Sequence, residues 1–357
     1  MIRLPLEDTK TLLVQIFTAY GFSSGQSEII TDSLLAADLA GVESHGIQRM
    51  IRYHDAIAKG MVVADATPQM VWETPISAVI DARKAMGQLV SRQAMELAIK
   101  KAADAGIGMV TVRNSNHFGI AGYYARMAVE KGFIGVAMTN SEAIMIPTGS
   151  RQARLGTNPI AVAFPADPVP FCFDAATTVV PRGKLEVYRK AGKTMPEGWA
   201  MGADGVPSND PDKVIRNISD RAGGGILPLG GSEEITGGHK GYGLGMICEL
   251  FTSILSGGPP SYQTYQQPDL ADTAHCFWAI NLGLFGDPQT LKTSCSDLLE
   301  DIRRSAPAEQ GWRIYIHGEK EVEFAHGVHA HGIPANEKTV EELRAIARDL
   351  RISFQIN

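Results

Sequence analysis

The sequence predicts an α/β protein that is not organised as an ordinary Rossmann sheet, and three observations carry that expectation. Short β-branched apolar runs alternate with longer segments at helical spacing. No such run is followed by GxGxxG with an acidic residue roughly 20 positions later. The chain opens with helical patterns alone, as far as about residue 58.

The most informative stretch is 107–131, IGMVTVRNSNHFGIAGYYARMAVEK. Residues 107–112 read as a buried strand and 121–129 as an alanine-rich helix, with Asn116, His117, Phe118 and Gly119 between them. A histidine at a strand exit, followed by glycines where a helix opens, pairs a proton carrier with free backbone N–H groups that suit an anion. A turn whose histidine is only hydrogen-bonded is the competing reading, and this stretch alone does not separate the two.

In chain order, 6–20 and 27–40 read as amphipathic helices, the second closed by Gly41. Then come Ser44, His45 and Arg49 around Gly46, and a third helical segment to about residue 58 bearing Arg52, Tyr53 and His54. Arginine is the side chain best shaped to grip a carboxylate, although a capped helix with a surface arginine looks the same in sequence. Strands are expected at 70–72 and 78–80, and a helix at 88–105 ended by Gly106. A strand at 133–138 leads to Ser141, the turn LGTNP with Thr157 precedes a strand at 160–164, and a strand at 171–173 delivers Asp174, Ala175 and Ala176. Polar turns at strand ends commonly line clefts.

A helix at 183–190 is followed by the Pro- and Gly-rich MPEGWAMGADGVPSNDP, read as irregular, so 192–225 is expected to be a surface excursion. GGHKGYGL then opens an apolar helix to residue 255, interrupted by Glu249 and read as a core helix. Lys240 at its glycine-flanked start is a second potential phosphate seat, without the spacing of a Walker motif. The last third is expected to hold a strand at 276–281, a helix at 290–305, a strand at 312–316 leading into His317, Gly318 and Glu319, and a helix at 340–350. His326, His329 and His331 imitate a metal site, but no carboxylate or cysteine partner can be placed beside them, so solvent-facing loop histidines are expected and no metal.

The division expected is a helical part at 1–70, a cofactor-binding α/β part at 71–285 and a C-terminal helical part at 286–357 packing back on the core. With 33 Lys and Arg against 39 Asp and Glu, the net charge of −6 offers no basic field for nucleic acid or anionic lipid. The start, MIRLPLEDTK, shows no export or organelle pattern, which predicts a cytoplasmic chain. The longest apolar segment falls short of the roughly 20 residues that span a bilayer. Four cysteines without a CxxC pair fit reduced thiols.

Two glycine-flanked helix starts, an arginine beside Ser-His and a histidine at a strand exit are the parts that hydride transfer between a nicotinamide and an alcohol requires. At this point the chain resembles the malate/L-lactate dehydrogenase type 2 family, which also holds ureidoglycolate dehydrogenase, L-sulfolactate dehydrogenase and Δ1-piperideine-2-carboxylate reductases. The resemblance rests on GVESHGIQR, NSNHFGIAGYY, LGTNPIAVAFP, DAATTVVPRGK, MPEGWA with DGVPSNDP, ILPLGG and GGHKGYGL, and covers nearly the whole chain. It implies a non-Rossmann fold with a helical N-terminal part, a large mainly antiparallel sheet for the dinucleotide, and a homodimer or higher homo-oligomer. It implies a small carboxylate substrate and NAD or NADP; without a Rossmann acidic residue to read, the sequence does not decide between them, and the expectation leans slightly to NAD.

Carried over position by position, His117 is implied as the proton acceptor, while Ser44 and His45 match the relay of the imine-reductase branch. Arg49 and Thr157 are implied on the substrate side, and Tyr53, on the helical segment that follows Arg49, is expected beside them. Cofactor contacts are implied at His117, Phe118, Gly119, Ile120 and Ala121, at Ser141, at Asp174, Ala175 and Ala176, at Lys240, and at His317, Gly318 and Glu319. Here His317 stands where the family usually has Pro, and Arg182-Gly183-Lys184 stands where imine reductases tend to carry His-Gly-Asp. The second departure favours a 2-hydroxy acid dehydrogenase over reduction of a cyclic imine or ureidoglycolate oxidation, and suggests Arg182 as a seat for a second anionic group, as in malate or sulfolactate.

Overall fold

The computed structural model describes residues 2–267 and 269–354. Strand β1 (Ile2–Leu4) leads into α1 (Leu6–Ala19) and α2 (Ser24–Leu39). Helix α2 begins on a reciprocal cap, in which the Ser23 hydroxyl accepts from Gln26 N–H and the Gln26 side chain accepts from Ser23 N–H. Two short 3₁₀ turns, Glu43–His45 and Ile47–Arg49, carry the chain into α3 (Met50–Ala58).

There follow β2 (Gln69–Glu73), β3 (Ser77–Asp81), α4 (Gly87–Ala105), β4 (Ile107–Ser115), α5 (Ala121–Val129), β5 (Phe133–Thr139), β6 (Ile160–Phe164) and β7 (Phe171–Ala175). Next come α6 (Arg182–Lys190), β8 (Ala200–Met201), α7 (Pro211–Ser219), β9 (Gly225–Ile226) and α8 (Gly238–Glu249), which runs on through a π-helical turn at Leu250–Ile254. The chain closes with β10 (Thr273–Asn281), α9 (Pro288–Arg303), α10 (Glu319–His331), β11 (Ile333–Ala335) and α11 (Glu337–Asp349).

One seven-stranded sheet, in the order β2-β3-β4-β10-β5-β6-β7, organises the molecule, and only its β3–β4 pair is parallel. The mainly antiparallel, non-Rossmann sheet is therefore as expected. On one face α4 and α5 lie against the strands through alanines. The approach is close enough that a Cβ on Gly108 would stand 2.0 Å from Ala98 O, and one on Gly135 2.0 Å from Ala125 O. Only glycine fits at those two strand positions. On the other face Cys248 and Phe251 pack over Val136, Met138, Cys276 and Trp278.

A separate core joins the two ends of the chain. β1 pairs with β11, and Leu13, Phe17, Ile30 and Leu34 pack with Val328, Ile333, Leu343 and Ile346. Helix α9 instead belongs to a small cluster of Leu299 with Ala166, Ile316 and Phe171.

Several expectations are corrected. The strand expected at 312–316 does not form; the link there is a single bond, Cys172 N–H to His317 O, and Ile316 N–H goes to the Glu319 carboxylate. The three histidines lie on α10, not in a loop, all exposed. No group of three or more metal-ligating side chains occurs among the described residues. The excursion contains α7, capped by Asp210, started by Pro211, and burying Val214, Ile215 and Ile218 in a core of its own. The helix read as core is turned inside out: Gly241, Gly245, Glu249, Thr252 and Ser253 face inward, while Leu244, Ile247, Leu250 and Ile254 are exposed. The pairs β1 and β11 were not foreseen.

Candidate active site

A cavity of about 490 Å³ lies between the 3₁₀ turns, α3, the β4–α5 turn, the ends of β5 and the 157 loop, and α6. It collects all of the catalytic and substrate-side candidates, Ser44, His45, Arg49, Tyr53, His117, Thr157 and Arg182, together with Ser141 from the cofactor side. A larger cleft of about 850 Å³ between α2, α4, α5 and α10 contains none of these residues.

The 3₁₀ turns are positioned by Asp38 on α2. Its carboxylate is buried and accepts from Ile47 N–H at 2.9 Å. A Cβ on Gly46 would stand 2.0 Å from Asp38 Oδ1, so glycine is required for the turn to close over the carboxylate. Burial, with Glu43 adding repulsion, pushes the Asp38 carboxyl up to about 8 against the opposing Ile47 hydrogen bond.

The two histidine rings face each other, centroids 5.2 Å apart and inclined by 31°. His45 Nδ1 is 2.9 Å from Ser44 Oγ, and His117 Nδ1 is 2.7 Å from Tyr53 Oη. That leaves Nε2 as the ring nitrogen of His117 available to a substrate. Gln88, on the first turn of α4, donates its Nε2 to Tyr53 Oη at 2.7 Å. Behind His117, Phe118 stacks on buried His275 of β10, centroids 4.7 Å apart, and His275 bridges Thr139 and Ser115.

Burial first, then Arg49 and Arg52, lower the His45 imidazole to about 3. His117 is held well below its ordinary value by burial and then by Arg49, His45, Arg52 and His275. Both rings are therefore neutral, facing two cations. Burial, reinforced by Arg52, also lowers the Arg49 guanidinium to about 10, and its buried Nε has no partner among the described residues. Such a group calls for an anion. Arg182, by contrast, donates to Glu142 at 3.0 Å and to Ser219 at 3.3 Å and pairs with Glu186 at 3.3 Å.

Ser141 Oγ accepts from Thr157 N–H at 3.1 Å, so these two strand-end loops are joined. Beneath them buried Glu249 accepts from Asn140, Asn158, Ser253 and both N–H and Oγ of Ser261. Five donors satisfy this carboxylate and tie the loops to one another.

Of the cofactor-side candidates, residues 117–121 and Asp174 gather around the N-terminus of α5. No side chain caps it, Gly119 has φ 88°, and Gly122 N–H donates to Asp174 Oδ2 at 2.7 Å. Asp174 keeps part of its surface in water, while the desolvation of its inner side raises the carboxyl to about 6 against the opposing Gly122 N–H and Arg126. Ala175 ends β7 with Ala176 just beyond it, and β7 lies beside residues 317–319 through the Cys172–His317 bond. The N–H groups left open at this helix start suit an anion such as a dinucleotide's pyrophosphate, and the Asp174 carboxylate suits hydroxyl donors such as those of a ribose. Phe118 is buried, and the Glu319 carboxylate is engaged by Arg303 at 2.6 Å and Ile316 N–H at 3.0 Å. Lys240, exposed on the first turn of α8, does not line the cavity.

Arg52, Gln88, Glu142, Glu186, Tyr265 and His275 were not singled out from the sequence as site residues. Only Arg52 offered a signal, one helical turn after Arg49. The others enter through tertiary placement.

The sequence profile of the malate/L-lactate dehydrogenase family matches residues 4–344. The chain is 44% identical over 348 residues to malate dehydrogenase of Pyrococcus horikoshii, covering 97% of this chain and 95% of that protein. It is 37% identical over 352 residues to L-sulfolactate dehydrogenase of Methanocaldococcus jannaschii, covering 98% and 97%. The crystal structure of malate dehydrogenase from Entamoeba histolytica superposes with a TM-score of 0.95 at 34% identity, covering 99% of each chain.

Proposed function

The chain belongs to the malate/L-lactate dehydrogenase family, and from that premise we propose that it transfers hydride between NAD(P) and a small 2-hydroxy acid carrying a second anionic group. The observation that carries this reading is a pair of facing imidazoles in a cavity that also holds Arg49 and Arg52, where burial and the two cations favour the neutral rings. Arg49 grips the C1 carboxylate, and His117 Nε2 takes the hydroxyl proton as the carbinol carbon gives up its hydride. Arg52 faces the second anion, a carboxylate or sulfonate. Nicotinamide supplies the hydride acceptor at C4 when bound. The α5 N-terminus, Ser141 and the edge of β7 hold the dinucleotide, and exposed Asp174 favours NAD over NADP, because a carboxylate accepts from ribose hydroxyls and repels a phosphate.

One observation favours a second reading. The Ser44–His45 hydrogen bond is a relay of the kind expected for cyclic imine reduction, although Lys184 occupies the position where that branch tends to carry an acid.

The test is NADH and NADPH oxidation against oxaloacetate, sulfopyruvate, pyruvate and a five- or six-membered cyclic imino acid, with the wild type and His117→Asn. One dianionic 2-oxo acid is expected to turn over best, and His117→Asn to lose about 10²–10⁴-fold in kcat while still quenching NADH fluorescence on binding. Turnover of the imine alone, surviving His117→Asn and lost in His45→Asn, moves the chemistry to the Ser44–His45 pair.

A further inference from the structure

Gln88 has no solvent exposure, and its two amide atoms are treated unequally. Nε2 donates to Tyr53 Oη at 2.7 Å, whereas Oε1 has no hydrogen-bond partner among the described residues. A buried amide oxygen without a partner is costly. The neighbouring residue explains why the amide is held here. A Cβ on Gly87 would stand 2.3 Å from the carbonyl oxygens of both Asn116 and His117, so the start of α4 is seated directly on the histidine turn.

The amide and the Gly119 N–H together set the hydrogens along this string. With Gln88 Nε2 donating to the phenol oxygen and Gly119 N–H pointing at His117 Nδ1 from 3.3 Å, the arrangement that pairs every hydrogen has the phenol O–H donating to Nδ1 at 2.7 Å. Burial keeps the Tyr53 phenol protonated, far above its ordinary range. With Nδ1 accepting, the neutral ring carries its hydrogen on Nε2. That form donates to a carbonyl oxygen, but it has no lone pair for a hydroxyl proton.

Turning the amide by 180° reverses the string, with one proton exchange: Nε2 of His117 gives its hydrogen to water in the cavity and Nδ1 takes one from water, so the ring stays neutral and gives up the Gly119 N–H contact. Oε1 then accepts the Tyr53 O–H, the phenol oxygen accepts from His117 Nδ1–H, and Nε2 presents its lone pair to the cavity. The turn needs almost no change of volume, and each orientation leaves one amide atom without a partner.

We propose that Gln88 is a positioning residue whose amide sets the tautomer of His117, and that only the orientation with its oxygen toward Tyr53 lets the ring accept the substrate proton. This rests on His117 being the base. In oxidation the substrate O–H bond breaks and an Nε2–H bond forms, giving imidazolium. The C2 hydride passes to the nicotinamide as the carbonyl forms, and the imidazolium later returns its extra proton to solvent. Tyr53 and Gln88 reorient, and neither gains nor loses a proton. The charged and titratable groups facing His117 are Arg49 and Arg52 on the α3 side, His45 in the 3₁₀ turn, Tyr53 on α3 and His275 on β10.

The test reads the ring directly, by ¹⁵N NMR of enzyme labelled at histidine, with the His117 signal assigned by its loss in His117→Asn. In the resting wild type at pH 8 the neutral ring is expected as the Nε2–H tautomer, and the Nδ1–H form there overturns the proposal. Gln88→Glu, whose carboxylate only accepts, is expected to convert the ring to Nδ1–H and to raise the acid limb of kcat/KM for hydroxy-acid oxidation by about one pH unit. Adding Tyr53→Phe should erase that difference. An unmoved tautomer and limb, or a shift that persists without the Tyr53 hydroxyl, makes Gln88 a packing residue only. The NMR readout needs no turnover, so it stands apart from the assay that tests His117 as the base.

Discussion

Arg49 and Arg52 stand three residues apart and reach one cavity, yet their surroundings differ. Among the described residues Arg49 has a buried Nε without a partner, while Arg52 is more than half exposed and meets Glu186 in a loose 3.7 Å pair. Like charges this close repel, and both depress the imidazoles beside them. A dianion relieves that repulsion at both ends, whereas a monoanion relieves it at one. Arg182 looked equally suitable in sequence, but Glu142 and Glu186 already offset its charge. The second-anion role is therefore better assigned to Arg52. Arg52→Ala should raise KM for oxaloacetate or sulfopyruvate by about 10–100-fold, the loss of one charge-assisted pair, and KM for pyruvate less than threefold. Arg182→Ala should affect all three substrates alike. Equal sensitivity of pyruvate and oxaloacetate to Arg52→Ala would sink the assignment.

At the scale of elements, local patterns were legible and tertiary pairings were not. The spacing of 121–129 and of 160–164 predicts α5 and β6 to the residue, because each carries its apolar period and its end signals within itself. Glu249 was visible as an oddity in an apolar run, and its five donors give the reason. Residues 312–316 have a strand's alternation but find no neighbouring strand, and β1 and β11 are three-residue strands that exist only because they meet each other. Ser44, His45, Arg49 and His117 were legible because each sits in a short motif. Gln88 and Tyr265 were not, since nothing near them in sequence points to the cavity. The 3₁₀ turns add a testable dependence on pH. The folded-state carboxyl of Asp38, at about 8, lies above its unfolded value, so the folded chain keeps a proton that the unfolded chain releases. Stability from this group is fully present below the unfolded value and declines as pH rises from about 4 toward 8. Asp38→Asn preserves an acceptor for Ile47 N–H without the titration. Relative to the wild type, its stability should therefore climb with pH across that window, by on the order of a few kcal/mol in total, read as a Tm difference that widens in its favour. Parallel Tm profiles from pH 5 to 8 would show that Asp38 is charged in the folded chain.

At the scale of the whole molecule, the outer face of α8 contradicts the usual burial of apolar side chains. Along α8 and its π-helical continuation the inward face is small and polar, built around Glu249, while Leu244, Ile247, Leu250 and Ile254 are 41–58% exposed on the other side. Their spacing of three, three and four residues makes one continuous stripe. A contiguous apolar stripe of this kind marks an interaction surface. The resemblance implies a homodimer, and a second copy of the same stripe is its natural cover in a two-fold contact. The arrangement also bears on the site, because the same helix anchors the Ser141 and Thr157 loops through Glu249 from its inner face. Loosening the outer face should therefore be felt at the cavity. Light scattering coupled to gel filtration is expected to give twice the chain mass for the wild type, and the chain mass for Ile247→Glu at micromolar concentration, with unchanged circular dichroism. The dissociated variant should also show a raised KM for the cofactor. A wild type that runs as a monomer, or an Ile247→Glu dimer as tight as the wild type, leaves this stripe without that role.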